Sequence, residues 1–407
     1  MDSKRLLFFP QNETHLENMI PLLPKLEDQG FLCEFIDASK LYHQNIYSNY
    51  PNLKLIKLES SCEHPFYTSS TLQKIKYVKV LKKELKKMTH DYEGIFIGND
   101  GSLQRLVIKS MSIKKTFFLV DAIINDNTFS FFKIFSNSGY ISYDLKDWLR
   151  RKVKLISMRV IRYLPFNYYL PSEIGTVRTT RVYVLGEYVK EVLKSRGLPE
   201  KRIIACGLPR FKKILIHKHN GKNLHPGVKF KIMTLTQSAV WHNDHIKEEV
   251  QKKQLFKLIA LVESMRKKHN LDIELNIRLH PRDIAEDRSY FFNKEFVHLL
   301  EGDLYTQLLE NDLVVATSST VLLETLAING RVAVMMLMDQ WWRYERSFLK
   351  LPCFHKFHNV KDLEDYFLHL INDGNFERTG LDKLISNQLK DSTQIITDDV
   401  IKVLNSN

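Results

Sequence analysis

A chain of 407 residues is long enough for two or three domains, each with its own core. Hydrophobic residues make up 44% and charged residues 26%, with only 15 Gly and 12 Pro, which excludes disordered, fibrous and disulfide-miniprotein classes. Lysine and arginine number 60 against 47 acidic residues, and the net charge of +13 draws the chain toward polyanions: phosphorylated ligands, anionic membrane surfaces or nucleic acid.

The opening MDSKRLLFFPQNE carries an apolar run, Leu6 to Phe9, too short for a signal peptide or a membrane span. Arg5–Phe9 is a predicted strand, Glu13–Gln29 a helix, Phe31–Ile36 a strand and Leu72–Met88 a lysine-rich helix. Gly94–Ile97, Ser102–Met111 and Thr116–Val120 continue as strand, helix and strand. Strands separated by helices of this length imply right-handed βαβ units and a parallel sheet.

Between Gly94–Ile97 and the next helix stands Gly98-Asn99-Asp100-Gly101. Asp100 there is either an N-cap or a carboxylate placed as a general base, and spacing leaves both open. From Leu145 to Leu164 the rhythm changes: Leu149, Val153, Ile156, Val160 and Leu164 form an apolar stripe with Arg150, Arg151, Lys154 and Arg162 mostly opposite. This basic amphipathic helix is either a core helix with a solvated face or a membrane-surface helix drawn to anionic lipid.

Arg181–Leu185 resumes as a strand, followed by a helix through Ser195, a strand at Arg202–Ala205 and the turn Gly207-Leu208-Pro209-Arg210. The Lys- and Asn-rich stretch 218–229 reads as a connection. A second alternating block follows: strand Lys231–Leu235, helix Ile246–Lys268, strand Asp272–Leu279, helix Leu304–Leu309, strand Leu313–Ala316, helix Val321–Asn329 and strand Val332–Met336. Residues 360–404 show helical patterns only. The expected architecture is therefore α/β, with two Rossmann-like doubly wound parallel-sheet domains facing a cleft: residues 1–217, residues 228–360, and C-terminal helices at 361–407 packing back across them.

In the second block, Leu313–Ala316 runs into Thr317-Ser318-Ser319-Thr320 and then a helix, with Glu324 one turn in and Gly330 expected to close it. Hydroxyls and backbone N–H groups at such a junction suit a phosphate, and Glu324 suits ribose hydroxyls; an ordinary Ser/Thr cap is the alternative. The strand ending Arg278-Leu279-His280 is followed by Pro281, which restricts His280 to extended backbone. A histidine held there between Arg278 and Arg282 can donate a proton or hydrogen bond to a phosphate oxygen, or be a capping or core residue.

No GxxxxGK[ST], GxGxxG, DxD, HExxH or cysteine cluster is present, so neither a phosphate loop nor a metal site is expected. Cys33, Cys62, Cys206 and Cys353 lie far apart and are expected as free thiols in a reducing cytoplasm. The basic residues are spread over many helices without a nucleic-acid module, so nucleic acid is not expected as a partner.

In that order, His280-Pro281, the Ser318-Ser319-Thr320…Glu324 run and the stretch TTRVYVLGEYVKEVLKSRGLPEKRIIACGLPRF from Thr179 resemble GT-B glycosyltransferases of bacterial surface polysaccharides. The nearest are those using CMP-activated sugars, namely sialyl-, polysialyl- and Kdo transferases, together with the CDP-glycerol polymer transferases. The resemblance covers most of 180–345 and is patchy before it. It implies that Asp100 is the general base, although Asn99 stands where the family carries an acidic residue. It implies that His280 contacts and protonates the leaving phosphate, that Ser318, Ser319 and Thr320 bind it with Arg278 and Pro281 alongside, that Glu324 holds the ribose, and that Thr236 and Gln237 belong to a loop at the nucleotide.

The expected function is inverting, metal-independent transfer of a nonulosonic acid or Kdo from a CMP donor to a surface glycan (capsule or lipopolysaccharide), without a cofactor, by a cytoplasmic enzyme that an anionic membrane face could recruit through Leu145–Leu164. A CDP-glycerol-type phosphotransferase, a glycan pyruvyl transferase and a non-enzymatic membrane-surface or glycan-binding protein are the alternatives.

Overall fold

The computed structural model describes residues 4–59, 64–66, 70–88, 92–121, 153, 164, 166–169, 178–212, 229–236, 245–280, 291–328, 330–338, 347–374, 376 and 378–406. The chain divides into two compact units: Met1–Lys212 with Lys383–Asn407, and Lys213–Asp382.

The first unit holds a seven-stranded sheet of β1 (Lys4–Phe9), β2 (Phe31–Asp37), β3 (Leu55–Lys57), β4 (Tyr92–Ile97), β5 (Lys115–Leu119), β6 (Arg181–Val184) and β7 (Ile203–Ala205), ordered β3-β2-β1-β4-β5-β6-β7. All its pairings are parallel, with Leu6 opposite Cys33 and Phe9 opposite Ile97. Such a sheet is covered on both faces, which is why its strands read as unbroken apolar runs. On one face Phe8 stacks between Phe35 and Phe96, with ring centroids 4.8 and 4.6 Å away. On the other, Leu7 and Phe9 join Ile95, Ile97 and the buried side of the lysine-rich helix.

Among the described residues up to Lys212, the helices of this unit are α1 (Glu13–Met19), α2 (Leu23–Asp28), α3 (Ser39–Tyr42), α4 (Thr71–Lys87), α5 (Ser102–Ser110) and α6 (Glu187–Ser195). The single helix expected at Glu13–Gln29 is three pieces, because Pro21 and Pro24 lack donors and each opens a new segment, with a 3-10 turn at Ile20–Leu22 between α1 and α2. In α4, Val78, Leu81 and Leu85 recur at three- and four-residue spacing and are buried, while its lysines face water.

The second unit has a six-stranded parallel sheet of β8 (Phe230–Leu235), β9 (Ile273–Arg278), β10 (Val297–Leu299), β11 (Leu313–Ala316), β12 (Val332–Met335) and β13 (Lys356–Phe357), ordered β10-β9-β8-β11-β12-β13. Its helices are α7 (His245–His269), α8 (Leu304–Glu310), α9 (Val321–Ala327) and α10 (Val360–Asp373). Leu258, Val262 and Met265 of α7 and Leu363, Phe367 and Leu370 of α10 pack in one core with Ile232 and Leu275. Helix α9 ends at Ala327 with Ile328 as its cap, and the Gly330 amide closes it by donating back to Thr325 O at 2.8 Å.

After α11 (Leu381–Leu384) the chain belongs to the first unit again and ends in α12 (Ser392–Asn405). There Asp399 accepts from Arg181 Nε at 3.0 Å and from the Tyr183 hydroxyl at 2.8 Å, and Lys115 Nζ donates to Val403 O at 2.9 Å. Cys33, Cys206 and Cys353 are buried free thiols, pushed up by burial to about 12, 12 and 11; Cys62 lies outside the described residues. Among the described residues no helix is long and apolar enough to cross a membrane. Of the amphipathic segment Leu145–Leu164, only Val153 and Leu164 are described, and both are exposed. The remainder of that segment, and connection residues 218–228, lie outside the described residues.

Candidate functional site

In an open parallel sheet, ligands bind at the carboxyl ends of the strands where the chain stops adding strands on one side and begins on the other. In the second unit that point lies between β8 and β11, because β9 and β10 are added on one side of β8 and β11, β12 and β13 on the other. Thr236 follows β8, His280 follows β9 and Thr317–Thr320 follow β11, so three strand ends bring the expected residues to one edge.

Thr236 ties two of these ends together. Its amide donates to Arg278 O at 3.1 Å and its Oγ1 accepts from the His280 amide at 2.7 Å, so the backbone of His280 is held by the end of β8. Gln254 of α7 does similar work on the other side, donating to Thr317 Oγ1 at 3.3 Å and accepting from Leu337 N at 3.2 Å. Ser319 Oγ accepts from Val321 N at 3.2 Å, whereas Thr320, the N-cap of α9, makes no side-chain capping bond. Ser318 and Glu324 are buried and Thr320 is exposed. Because α9 has only seven residues, its dipole alone is a small anchor for an anion; the hydroxyls and the strand ends make up the rest of this edge.

Arg278 points its guanidinium at the loop after β10, donating to Gly302 O at 3.0 Å. It also donates to Gln307 Oε1. Burial lowers its pKa, partly offset by Asp303. Gln237 and Pro281, with Arg282, lie outside the described residues. Among those described, no group of three or more His, Cys, Asp or Glu side chains is placed to hold a metal ion.

In the first unit the corresponding point lies between β1 and β4. Asn99 donates to the Gln11 side chain at 2.9 Å, and the Gln11 amide donates to His15 Nδ1 at 3.2 Å. The His15 ring packs on Gly98, where any Cβ would overlap it. Burial drops the pKa of His15 to about 4; Asp121 opposes that shift and Arg210 adds to it. Asp121, after β5, accepts from Asn18 Nδ2 at 2.8 Å and Arg210 Nε at 2.6 Å, and Asn18 Oδ1 accepts from the Arg210 amide at 3.1 Å.

Asp100 is buried in the turn after β4, and the residue at the N-cap position of α5 is Gly101. The Asp100 charge favours the cationic form of Arg105, whose pKa burial otherwise lowers. Arg105 is in turn held by Asn167 O at 2.6 Å.

Sequence reasoning passed over His15, Asn18 and Asp121. The available signal was positional: His15 lies a few residues after the first strand and Asp121 immediately after the strand at 115–119. Arg210 lies within the GLPRF stretch.

No protein-family model matches the chain, and no curated protein matches it. Among solved structures, UDP-GlcNAc 2-epimerase from Methanocaldococcus jannaschii is 12% identical with a TM-score of 0.56, over 98% of this chain and 99% of that one. UDP-GlcNAc 2-epimerase from Neisseria meningitidis bound to UDP-GlcNAc is likewise 12% identical with a TM-score of 0.56, over 98% and 100%. The wall teichoic acid polymerase TagF, in a structure with CDPG, is 11% identical with a TM-score of 0.52, over 99% and 89%. The chain has the GT-B-like α/β fold of these enzymes, and the expected fold class holds.

Proposed function

We propose that the chain is a metal-independent, inverting transferase that takes an activated unit from a cytidine-nucleotide donor and passes it to a hydroxyl of a surface glycan. The observation that carries this reading is the carboxyl edge of β8, β9 and β11, where Thr236 after β8 holds the backbone of His280 after β9, and Ser318–Thr320 follow β11 on the other side of β8. In it, His280 donates a hydrogen bond and then a proton to the leaving phosphate while the Ser318 and Ser319 hydroxyls share its charge. Glu324 accepts from the ribose. Asp100 takes the proton of the acceptor hydroxyl. The donor is a CMP-linked nonulosonic acid or Kdo.

A CDP-glycerol-type transfer is the second reading, favoured by the likeness to TagF over 99% of this chain. It would use the same histidine and hydroxyls on a phosphoryl-linked unit.

Turnover with CMP-sugar and CDP-glycerol donors tests both. His280→Ala should lower kcat at least about a hundredfold with the productive donor. Full activity of that variant would remove His280 from the chemistry. Asp100→Asn distinguishes a base from a mere counter-charge for Arg105: a base loses kcat, whereas a counter-charge loses stability and keeps it.

A further inference from the structure

At the amino ends of β5, β6 and β7 the first unit has a cavity of about 750 Å³. Lys109, Lys114, Arg178, Arg181 and Arg202 line it, together with hydroxyl residues, and among the described residues no carboxylate does. Arg181 is balanced by Asp399 at 3.0 Å. The other four cations have no acid partner among the described residues: Lys109 donates to Leu164 O at 2.7 Å and Arg202 to Thr179 O at 3.1 Å. Lys114 and Arg178 are exposed and, among the described residues, make no hydrogen bond or ion pair.

Like charges facing one cavity repel more strongly than the same charges on an open surface, because fewer waters screen them. An anion with several oxygens would cancel the repulsion and accept from guanidinium and ammonium donors together, which a phosphate group does and a single carboxylate does less completely.

We propose that this cavity binds a phosphate-bearing anion. Within the first unit it is separate from the strand ends that carry Asp100 and Asp121: in parallel strands the amino ends of β5 and β6 lie a full strand length, about 15 Å, from that carboxyl edge. The phosphate belongs either to a soluble phosphorylated compound or to a phospholipid headgroup.

The full chain is titrated with inorganic pyrophosphate by calorimetry and, in parallel, sedimented with phosphatidylcholine vesicles with and without phosphatidylglycerol. The wild type should bind in at least one arm. Binding to pyrophosphate alone assigns a soluble ligand, and binding only to phosphatidylglycerol vesicles assigns a headgroup. In that arm Lys114→Glu/Arg178→Glu should bind at least about tenfold more weakly than the wild type. The neutral pair Lys114→Gln/Arg178→Gln, which adds no new charge, should move the same way should the acidic pair fold poorly. Failure to bind in both arms, or wild-type affinity in a folded double variant, would overturn the site.

Discussion

At the scale of single residues, the second unit depends on one threonine hydroxyl. Thr236 Oγ1 is the acceptor for the His280 amide, so Thr236→Val keeps the shape and leaves that amide without its partner. The expected cost is about 1–2 kcal/mol to this unit, with kcat lowered roughly tenfold through misplacement of the ring. A variant with wild-type kcat would show that Thr236 does not position His280. In the first unit, His15 is held neutral by burial, its pKa down from the ordinary 6.5 to about 4. Above pH 6.5 it adds nothing to the pH dependence of stability. Between 6.5 and about 4 the unfolded chain takes up a proton that the folded unit refuses, so stability falls as pH drops, by up to ~3 kcal/mol, and levels off below. His64, also lowered to about 4 by burial, acts in the same direction. His15→Gln should therefore lose less stability than the wild type between pH 7 and 4 in urea titrations, and parallel curves would contradict the assignment. His280 was legible in the sequence because Pro281 and the preceding strand mark its place. His15 and Asp121 were not, since neither belongs to a motif and only the β1-β4-β5 order brings their strand ends together.

At the scale of elements, the long buried strands were legible because a parallel sheet covered on both faces is apolar at every position. Leu55–Lys57, Val297–Leu299 and Lys356–Phe357 were missed because two or three residues carry no period; their strand character comes from pairing with β2, β9 and β12. The break between α1 and α2 was readable from Pro21 and Pro24, and was lost to the apolar periodicity that runs through them. Close packing sets a further constraint at Gly186, where a Cβ would overlap the backbone of Lys383 and Leu384. That backbone is pinned alongside by Ser386 N donating to Leu185 O at 2.9 Å and Ser386 Oγ donating to Ala205 O at 3.0 Å. Gly186→Ala should cost about 1–3 kcal/mol, since a carbonyl cannot swing away as a side chain can. An unchanged denaturation midpoint would mean that the 383–386 segment moves without penalty.

At the scale of the whole molecule, part of the positive charge behind the net +13 gathers, among the described residues, at the cavity of Lys109, Lys114, Arg178 and Arg202. The two-sheet plan followed from the alternation of strands and helices alone. The C-terminal segment from Lys383 on belongs to the first unit, tied there by single contacts such as Asp399 with Arg181 and Tyr183. The structures of similar fold include enzymes of UDP-GlcNAc as well as TagF, so the proposed cytidine donor is to be tested against a uridine one. Thermal unfolding in EDTA with CMP, CDP, UMP and UDP-GlcNAc decides this most directly. At a hundredfold excess over Kd a specific ligand adds about 2.7 kcal/mol, roughly 5–10 °C for a unit of this size. The cytidine nucleotides should raise the Tm of the wild type and raise that of His280→Ala less. Stabilisation by UDP-GlcNAc, with none from CMP or CDP, would contradict the proposed donor class.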